Sequence, residues 1–391
     1  MVGRDFIQNP GPTNIPDRVL EAFRRPATDF DGPEFATLIE EVWDELPALF
    51  GGAHRVIVLT SVGHGAWESA LVNLLAPGER ALFATGGIFG AGWAAAAQNL
   101  GFLTDVTPID FRRAPDPETV FDILSNDRER AIKAVCVAQT ETSTGTVVDI
   151  PGFRSALDSA DHPAFLVVDS IGSLGTEPML MADWGVDVVL AASQKGLMMP
   201  PGLAFCAISK SALQKSMTGP SPAAYWAWPP RLGVERAYMR FGGTPPEQHI
   251  YALKVALELI AEEGGAEAVA TRHCRTANAV HACVDAWGSG GPWEINASEP
   301  GERASAVTCV RTGELDSIAL IAAARDRYSV TLGSGMGELE GRAFRIGHLG
   351  DLNEPMILGA LGAIETTMTH LGFPYGAGVS AAARCLGSAQ A

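Results

Sequence analysis

Short apolar runs alternate with amphipathic stretches along most of this chain. RVIVLT (from Arg55), RALFAT, FLTDVTP, IKAVCVAQ, AFLVVDS, VDVVLAAS and AFCAIS are rich in β-branched and apolar residues, and most run apolar almost without a break. Strands of that kind are buried on both faces. Between or before them lie PEFATLIEEVWDELPALF, SVGHGAWESALVNLL, GIFGAGWAAAAQNLG, PDPETVFDILSN and PGFRSALDSA. These carry apolar positions at helical spacing. Strand–helix alternation predicts an α/β architecture, a mainly parallel sheet with helices on both faces. An earlier helix, IPDRVLEAF, has Asn14 as its expected cap and Pro16 in its first turn.

The texture changes after Ser209. PSPAAYWAWPPRLGVERAYMRFGGTPPEQ concentrates aromatics, prolines and glycines in an aromatic-poor chain. It is expected to form an active-site wall or a subunit contact. The helix EQHIYALKVALELIAEEGG follows, and the domain boundary is placed near Glu262. Beyond it come a helix to Gly288, the strand SAVTCVRT, the helix DSIALIAAARDRY, the strand AFRIGHLG and the helix EPMILGALGAIETTMTHLG. The expected organisation is an N-terminal arm over 1–14, a large domain over 15–262 and a small α+β domain over 263–391. The last stretch, FPYGAGVSAAARCLGSAQA, reads as a loosely held tail.

The chain has 391 residues and a net charge of −17, from 45 acids against 28 Lys and Arg. Such a balance disfavours nucleic acid and anionic membranes as partners. An anion site must then be built locally, from backbone N–H groups and a few arginines. Cysteines 136, 206, 274, 283, 309 and 385 show no metal-ligand spacing and no CxxC. Several sit in apolar runs, as free buried thiols do, so a reducing cytoplasm is expected. MVGRDFIQNPGPTN contains no apolar core of signal-peptide length.

Candidate chemistry gathers at predicted strand ends, where open α/β sheets bind ligands. Asp169 closes AFLVVDS, and Lys195 follows VDVVLAAS between Gln194 and Gly196. Most such acids cap helices and most such lysines are solvated. Here the lysine is followed by GLMMPPG, and apolar surroundings lower an amine's pKa. An acid and a lysine so placed suit pyridoxal phosphate. The amine forms a Schiff base with the cofactor aldehyde, and the carboxylate keeps the ring nitrogen protonated. RVIVLT runs into a glycine-bearing turn, Gly63-His64-Gly65, then a helix; such a turn is a natural phosphate seat. Arg345 interrupts the apolar strand AFRIGH. It either pairs with an acid or captures a substrate carboxylate in the cleft facing Lys195.

These motifs resemble the class V pyridoxal-phosphate aminotransferases of fold type I over nearly the whole chain. The resemblance is carried by PGPTNIPDRVL, GAWESALVN, ETSTG, HPAFLVVDSIGSLG, DWGVDVVLAASQKGLMMPPGLAF, FRIGHLGDLNE and LGFPYGAGVSAAA, and is nearest to bacterial glyoxylate-using members. It implies a seven-stranded, mainly parallel sheet in the large domain. It also implies pyridoxal 5'-phosphate as cofactor, with Lys195 as Schiff-base lysine and proton carrier and Asp169 on the pyridine nitrogen. By the same resemblance, Thr142 bonds the phenolic oxygen and Phe89 stacks on the ring. Gly63, His64 and Gln194 line the phosphate, and Thr244 reaches it from a second subunit. Arg345 binds the α-carboxylate, and backbone near Gly11 closes that pocket. A shared site implies a homodimer; a tetramer is also open.

Substrate naming rests on departures from that pattern. The glyoxylate-using relatives carry Ser-Gly-Thr-Gly before the AWE helix, whereas Val62 here offers no hydroxyl. They carry Asp-His-Arg where Asp29-Phe30-Asp31 stands, which disfavours a dicarboxylate donor. The implied reaction moves an amino group from a small L-amino acid, serine or alanine ahead of aspartate, to glyoxylate or pyruvate. A relative that uses pyridoxamine and pyruvate shares the Asp-aromatic-Asp and a turn like GIFGAG, and is the alternative. A lyase or desulfurase would need a cysteine on a mobile loop, and Cys309 lies in a predicted strand. A non-catalytic scaffold has no need of Lys195, Asp169 and Arg345 together. Tyr225, Trp226, Trp228, Gln139 and Phe30 are expected to line the side-chain pocket.

Overall fold

The computed structural model describes residues 5–218 and 223–388. Residues 1–4 of the expected arm, 219–222 of the Pro-rich stretch and the last three of the expected tail lie outside them. The strands among the described residues are β1 (Phe6–Gln8), β2 (Arg55–Ser61), β3 (Arg80–Ala84), β4 (Leu103–Val106), β5 (Ile132–Ala138), β6 (Thr140–Glu141), β7 (Thr146–Val147), β8 (Phe165–Asp169), β9 (Val188–Ala192), β10 (Gly202–Ile208), β11 (Glu294–Ile295), β12 (Val307–Arg311), β13 (Val330–Ser334) and β14 (Ala343–Gly347). The α-helices among the described residues are α1 (Asp17–Phe23), α2 (Pro33–Leu49), α3 (Gly63–Leu74), α4 (Ile88–Asn99), α5 (Pro117–Asn126), α6 (Ile150–Ser159), α7 (Lys210–Ser216), α8 (Glu247–Glu263), α9 (Ala266–Gly288), α10 (Ser317–Tyr328), α11 (Glu354–Leu371) and α12 (Gly378–Ser388).

The large sheet has seven strands in the order β2-β10-β9-β8-β5-β3-β4. All neighbours are parallel except β10, which is antiparallel to both β9 and β2. The reason is local. Residues 193–201 alone join β9 to β10, too short for the crossover that a parallel pair requires. Along β2, Val56 and Val58 enter one apolar layer and Ile57 and Leu59 the other. Along β9, Val189 and Ala191 divide from Val188 and Leu190 in the same way. Both sheet faces are therefore covered, and the continuous apolar strands are explained.

A second sheet, β1-β13-β14-β12-β11, packs with α9, α10, α11 and α12 around a third apolar cluster. Gly264 and Gly265, with φ of +112° and +89°, turn the chain between α8 and α9. The N-terminal segment adds β1 to this sheet, parallel to β13. Phe6 and Ile7 are too short a run to announce a strand.

Two expectations are corrected. The expected loose tail is helix α12, packed along α9 with Ala382 and Leu386 buried. Its apolar face finds a groove that local sequence does not reveal. Asn14 does not cap α1; the capping position is Pro16, and Asn14 Nδ2 donates to the Ile7 carbonyl at 3.4 Å. No helix among the described residues is long and apolar enough to cross a membrane.

Candidate active site

Lys195 stands in the turn after β9, under the N-terminal segment. Its Nζ donates to the Pro10 carbonyl. Thr13 fastens that crossing: its N–H donates to the Gln194 carbonyl at 3.3 Å and its hydroxyl to the Lys195 carbonyl at 3.2 Å. Two close approaches need glycine. A Cβ on Gly11, whose φ is +105°, would stand 2.5 Å from Lys195 Nζ, and one on Gly196 would stand 2.0 Å from the Leu174 carbonyl. Burial, then the Arg345 charge, push the Lys195 ammonium down to about 8 against the opposing pull of Asp169.

Asp169 ends β8 and is buried. Trp67 Nε1 donates to its Oδ2 at 2.7 Å, and the Ile171 N–H donates to Oδ1 at 2.7 Å. Burial pushes its carboxyl up to about 6, while those two donors favour the ionised form. A carboxylate offers about four lone-pair sites, so capacity remains for a further donor. Trp67 itself is fixed on α3. Its ring stacks on Trp93 at 5.9 Å and meets His64 edge-on at 4.5 Å.

The first turn of α3 starts at Gly63 with no side-chain cap, because its capping position is Val62. Its orphan N–H groups and dipole favour an anion. Gly63 is set against Ile171, the residue that also donates to Asp169; a Cβ would come within 2.4 Å of it. Gln194 carries a buried carboxamide oxygen without a partner.

The loop after β5 organises the opposite wall. Glu141 is buried, and its carboxylate receives Gly90 N–H at 3.0 Å, Phe89 N–H at 3.3 Å, and Ser143 N–H and hydroxyl at 3.1 and 2.5 Å. It thereby caps α4 and fixes Phe89. The adjacent Thr142 is buried, and its carbonyl accepts from an Arg345 terminal nitrogen at 2.9 Å. Arg345 Nε donates to the Ser334 carbonyl at 2.8 Å. Among the described residues Arg345 has no ion pair; its guanidinium is held by backbone oxygens, with the Glu141 carboxylate favouring its charge.

The structure thus brings Lys195, Asp169, Gln194, Thr142, Arg345 and Gly11 around one site, with Gly63 and His64 at the adjoining helix and Phe89 held by Glu141. Thr244 is exposed on this chain. Of the residues expected to line the side-chain pocket, several have partners of their own. Gln139 is consumed by Ser170 Oγ at 2.9 Å, Ser173 Oγ at 2.7 Å and the Pro178 carbonyl at 2.8 Å. Trp228 is fully buried and donates to Ser69 Oγ at 2.9 Å. Phe30 packs edge-on against Tyr238, and Asp31 pairs with Arg236 at 2.8 Å. Tyr225 and Trp226 pack on each other, their polar tips bonding the Thr60 carbonyl and Glu68. Sequence reasoning missed Trp67, Glu141 and Pro10. GAWES and ETSTG marked the first two, but a 102-residue separation hid the Trp67–Asp169 bond.

An uncapped helix N-terminus, an acid with spare lone pairs and a lysine of lowered pKa fit a group that joins phosphate, protonated ring nitrogen and aldehyde. Pyridoxal phosphate has those parts. The comparisons with known proteins agree. The Aminotransferase class-V family model matches residues 6–337. The chain is 38% identical to the serine–glyoxylate aminotransferase of Hyphomicrobium methylovorum, over 96% of this chain and 92% of that one. It is 34% identical to the L-aspartate–glyoxylate aminotransferase of Paracoccus denitrificans, over 98% and 96%. The crystal structure of pyridoxamine–pyruvate aminotransferase from Mesorhizobium loti superimposes with a TM-score of 0.88 at 29% identity, covering 99% and 98%. Fold, site and relatives together place the chain in the class V aminotransferases, pyridoxal-phosphate-dependent enzymes of fold type I.

Proposed function

We propose that this enzyme moves an amino group from a small L-amino acid, serine or alanine ahead of aspartate, to glyoxylate or pyruvate. One observation carries the proposal: among the described residues the buried Arg345 makes no ion pair, and its guanidinium is held by the Thr142 and Ser334 carbonyls beside the site of Lys195. That guanidinium can seat the carboxylate shared by amino-acid donors and 2-oxo acids. The serine- and aspartate-using relatives support glyoxylate as acceptor. Asp31 is paired with Arg236, which occupies that cation rather than leaving it for a second carboxylate.

Bound pyridoxal phosphate supplies an electron sink when the substrate Cα–H bond breaks. The Lys195 amine takes that proton, and a value near 8 lets it hold and release it close to neutral pH. Asp169 would accept from the ring nitrogen, Thr142 and Phe89 would border the ring, and Gly63, His64 and Gln194 would border the phosphate. Arg345 orients the substrate, and the segment at Gly11 excludes water above Lys195. Thr244, exposed on its own chain, is assigned to the site of a second copy, so the working unit is a homodimer. Six free thiols among the described residues support a reducing, cytoplasmic setting. Cys309 is buried in β12 with its thiol pushed up to about 12, which disfavours a desulfurase.

A second reading is favoured by Val62, which is 41% exposed at the head of α3 and offers no hydroxyl to a phosphate. On that reading the free vitamin is the substrate, as in the pyridoxamine–pyruvate relative. The test is the visible spectrum of the purified protein, before and after L-serine, beside the Lys195→Ala variant. A yellow protein bleached by serine, and a colourless, inactive variant, support the first reading. A colourless protein that gains its band only with free pyridoxal supports the second. Near-normal amino transfer by Lys195→Ala would end both.

A further inference from the structure

Of the two donors that reach Asp169, only Trp67 is a side chain. The indole is 3% exposed, packed between Trp93 and His64, and leaves Asp169 Oδ2 one fixed partner. The Ile171 N–H takes Oδ1 from the following turn. Two donors at right-hand and left-hand oxygens remove the carboxylate's rotational freedom about its last bond. They leave its remaining lone pairs for one more donor.

We propose that Trp67 is a positioning residue: its indole N–H holds the Asp169 carboxylate ionised and oriented toward the nitrogen of the pyridoxal phosphate ring. This rests on the reading that Asp169 faces that nitrogen. The need follows from opposing charges. Burial and the nearby Glu141 carboxylate both favour a neutral Asp169, and only Ile171, Trp67 and the Lys195 charge resist. A neutral Asp169 cannot keep the ring nitrogen protonated. The ring then loses much of its pull on the substrate carbon while substrate binding through Arg345 is untouched. A tryptophan is suited to this. It presents one donor and no acceptor, so it cannot bond the protonated acid in reverse. Its ring is held by stacking, so the donor does not wander.

The test compares wild type with Trp67→Phe and with replacement of Trp67 by benzothienylalanine, which keeps the ring's shape and removes the N–H. The Asp169 carboxyl is titrated in the cofactor-free protein by carboxylate infrared difference against Asp169→Asn. Loss of a hydrogen bond to a charged group moves the titration upward by about one to two pH units. The loaded variants should lose kcat roughly 10- to 100-fold, with KM for the amino donor changed less than about twofold. A titration in both variants within about 0.3 units of wild type would overturn the proposal. The benzothienylalanine variant guards against misfolding of the phenylalanine one. If Asp169→Asn itself keeps full turnover, the reading of Asp169 falls and the inference with it. If Asp169→Asn is impaired and the Trp67 variants are not, the inference alone falls.

Discussion

Gly11→Ala tests whether the N-terminal segment is part of the site. Gly11 has φ of +105°, a region that L-residues avoid. Holding alanine there costs about 1–3 kcal/mol. The new Cβ would also stand 2.5, 2.6 and 2.7 Å from Lys195 Nζ, Cδ and Cε. Ordinary contact begins near 3.4 Å, so the lysine must retreat by about 0.9 Å or the segment must lift. Either movement breaks the Lys195–Pro10 bond and misplaces the amine. A misplacement of about 1 Å costs on the order of 100-fold in rate. The assay measures kcat at saturating donor and acceptor, cofactor uptake by absorbance, and the thermal midpoint. Gly362→Ala in α11 is the control, since nothing lies within 4 Å of its Cβ position. A helical Gly→Ala change there should be neutral or stabilising by up to about 1 kcal/mol. If Gly11→Ala keeps kcat within about twofold and melts as wild type, the segment does not constrain Lys195 and the reasoning is wrong.

Arg345→Ala should raise KM for every amino donor, by roughly 10- to 100-fold, because a charged bond to the common carboxylate is lost; unchanged KM values would make Arg345 structural. Cofactor capture by the free enzyme should rise with pH through about 8 as Lys195 loses its proton. The folded value lies below the ordinary 10.5, so the unfolded chain binds more protons between those two values and folding stability rises with pH across that window. A capture profile rising only near 10 would contradict the lowered value. Burial holds His273, His281 and His348 down to about 3, 3 and 4, against an ordinary 6.5. The histidine contribution is therefore complete above about 6.5 and lost as pH falls, by about 2 kcal/mol per histidine at pH 5, against an opposing gain from the Asp169 and Glu177 carboxyls, which burial raises to about 6 and about 7. The change in urea midpoint between pH 7.5 and 5, compared between wild type and His281→Gln, checks this, and an equal change in both would refute it.

Much of the seven-stranded sheet was legible in local sequence, because its strands are buried on both faces and read as continuous apolar runs. The same runs placed Asp169 and Lys195 at strand ends, and the glycine-bearing turn at Gly63 marked the head of α3. Other elements have no local signature. β1 has only Phe6 and Ile7 to announce it, and α12 hides its amphipathic face in a glycine- and alanine-rich end. The reversed β10 followed from loop length rather than from its own residues, which resemble those of its parallel neighbours.

The site divides along the same line. Residue chemistry and motif spacing determined which lysine, acid and arginine are candidates. Only the tertiary structure decided their partners. Trp67 meets Asp169 across 102 positions, Arg345 meets Thr142 across 203, and Pro10 meets Lys195 across 185. It also withdrew Gln139 and Trp228 from the expected pocket by using their polar atoms elsewhere. The physical reason is that a side chain's type fixes which bonds it can make, whereas packing of distant segments fixes which bonds remain available. A motif can therefore name the reactive groups. The pKa values, the orientation of each carboxylate and the close contacts above Lys195 arise only when the elements of both sheets and the N-terminal segment meet.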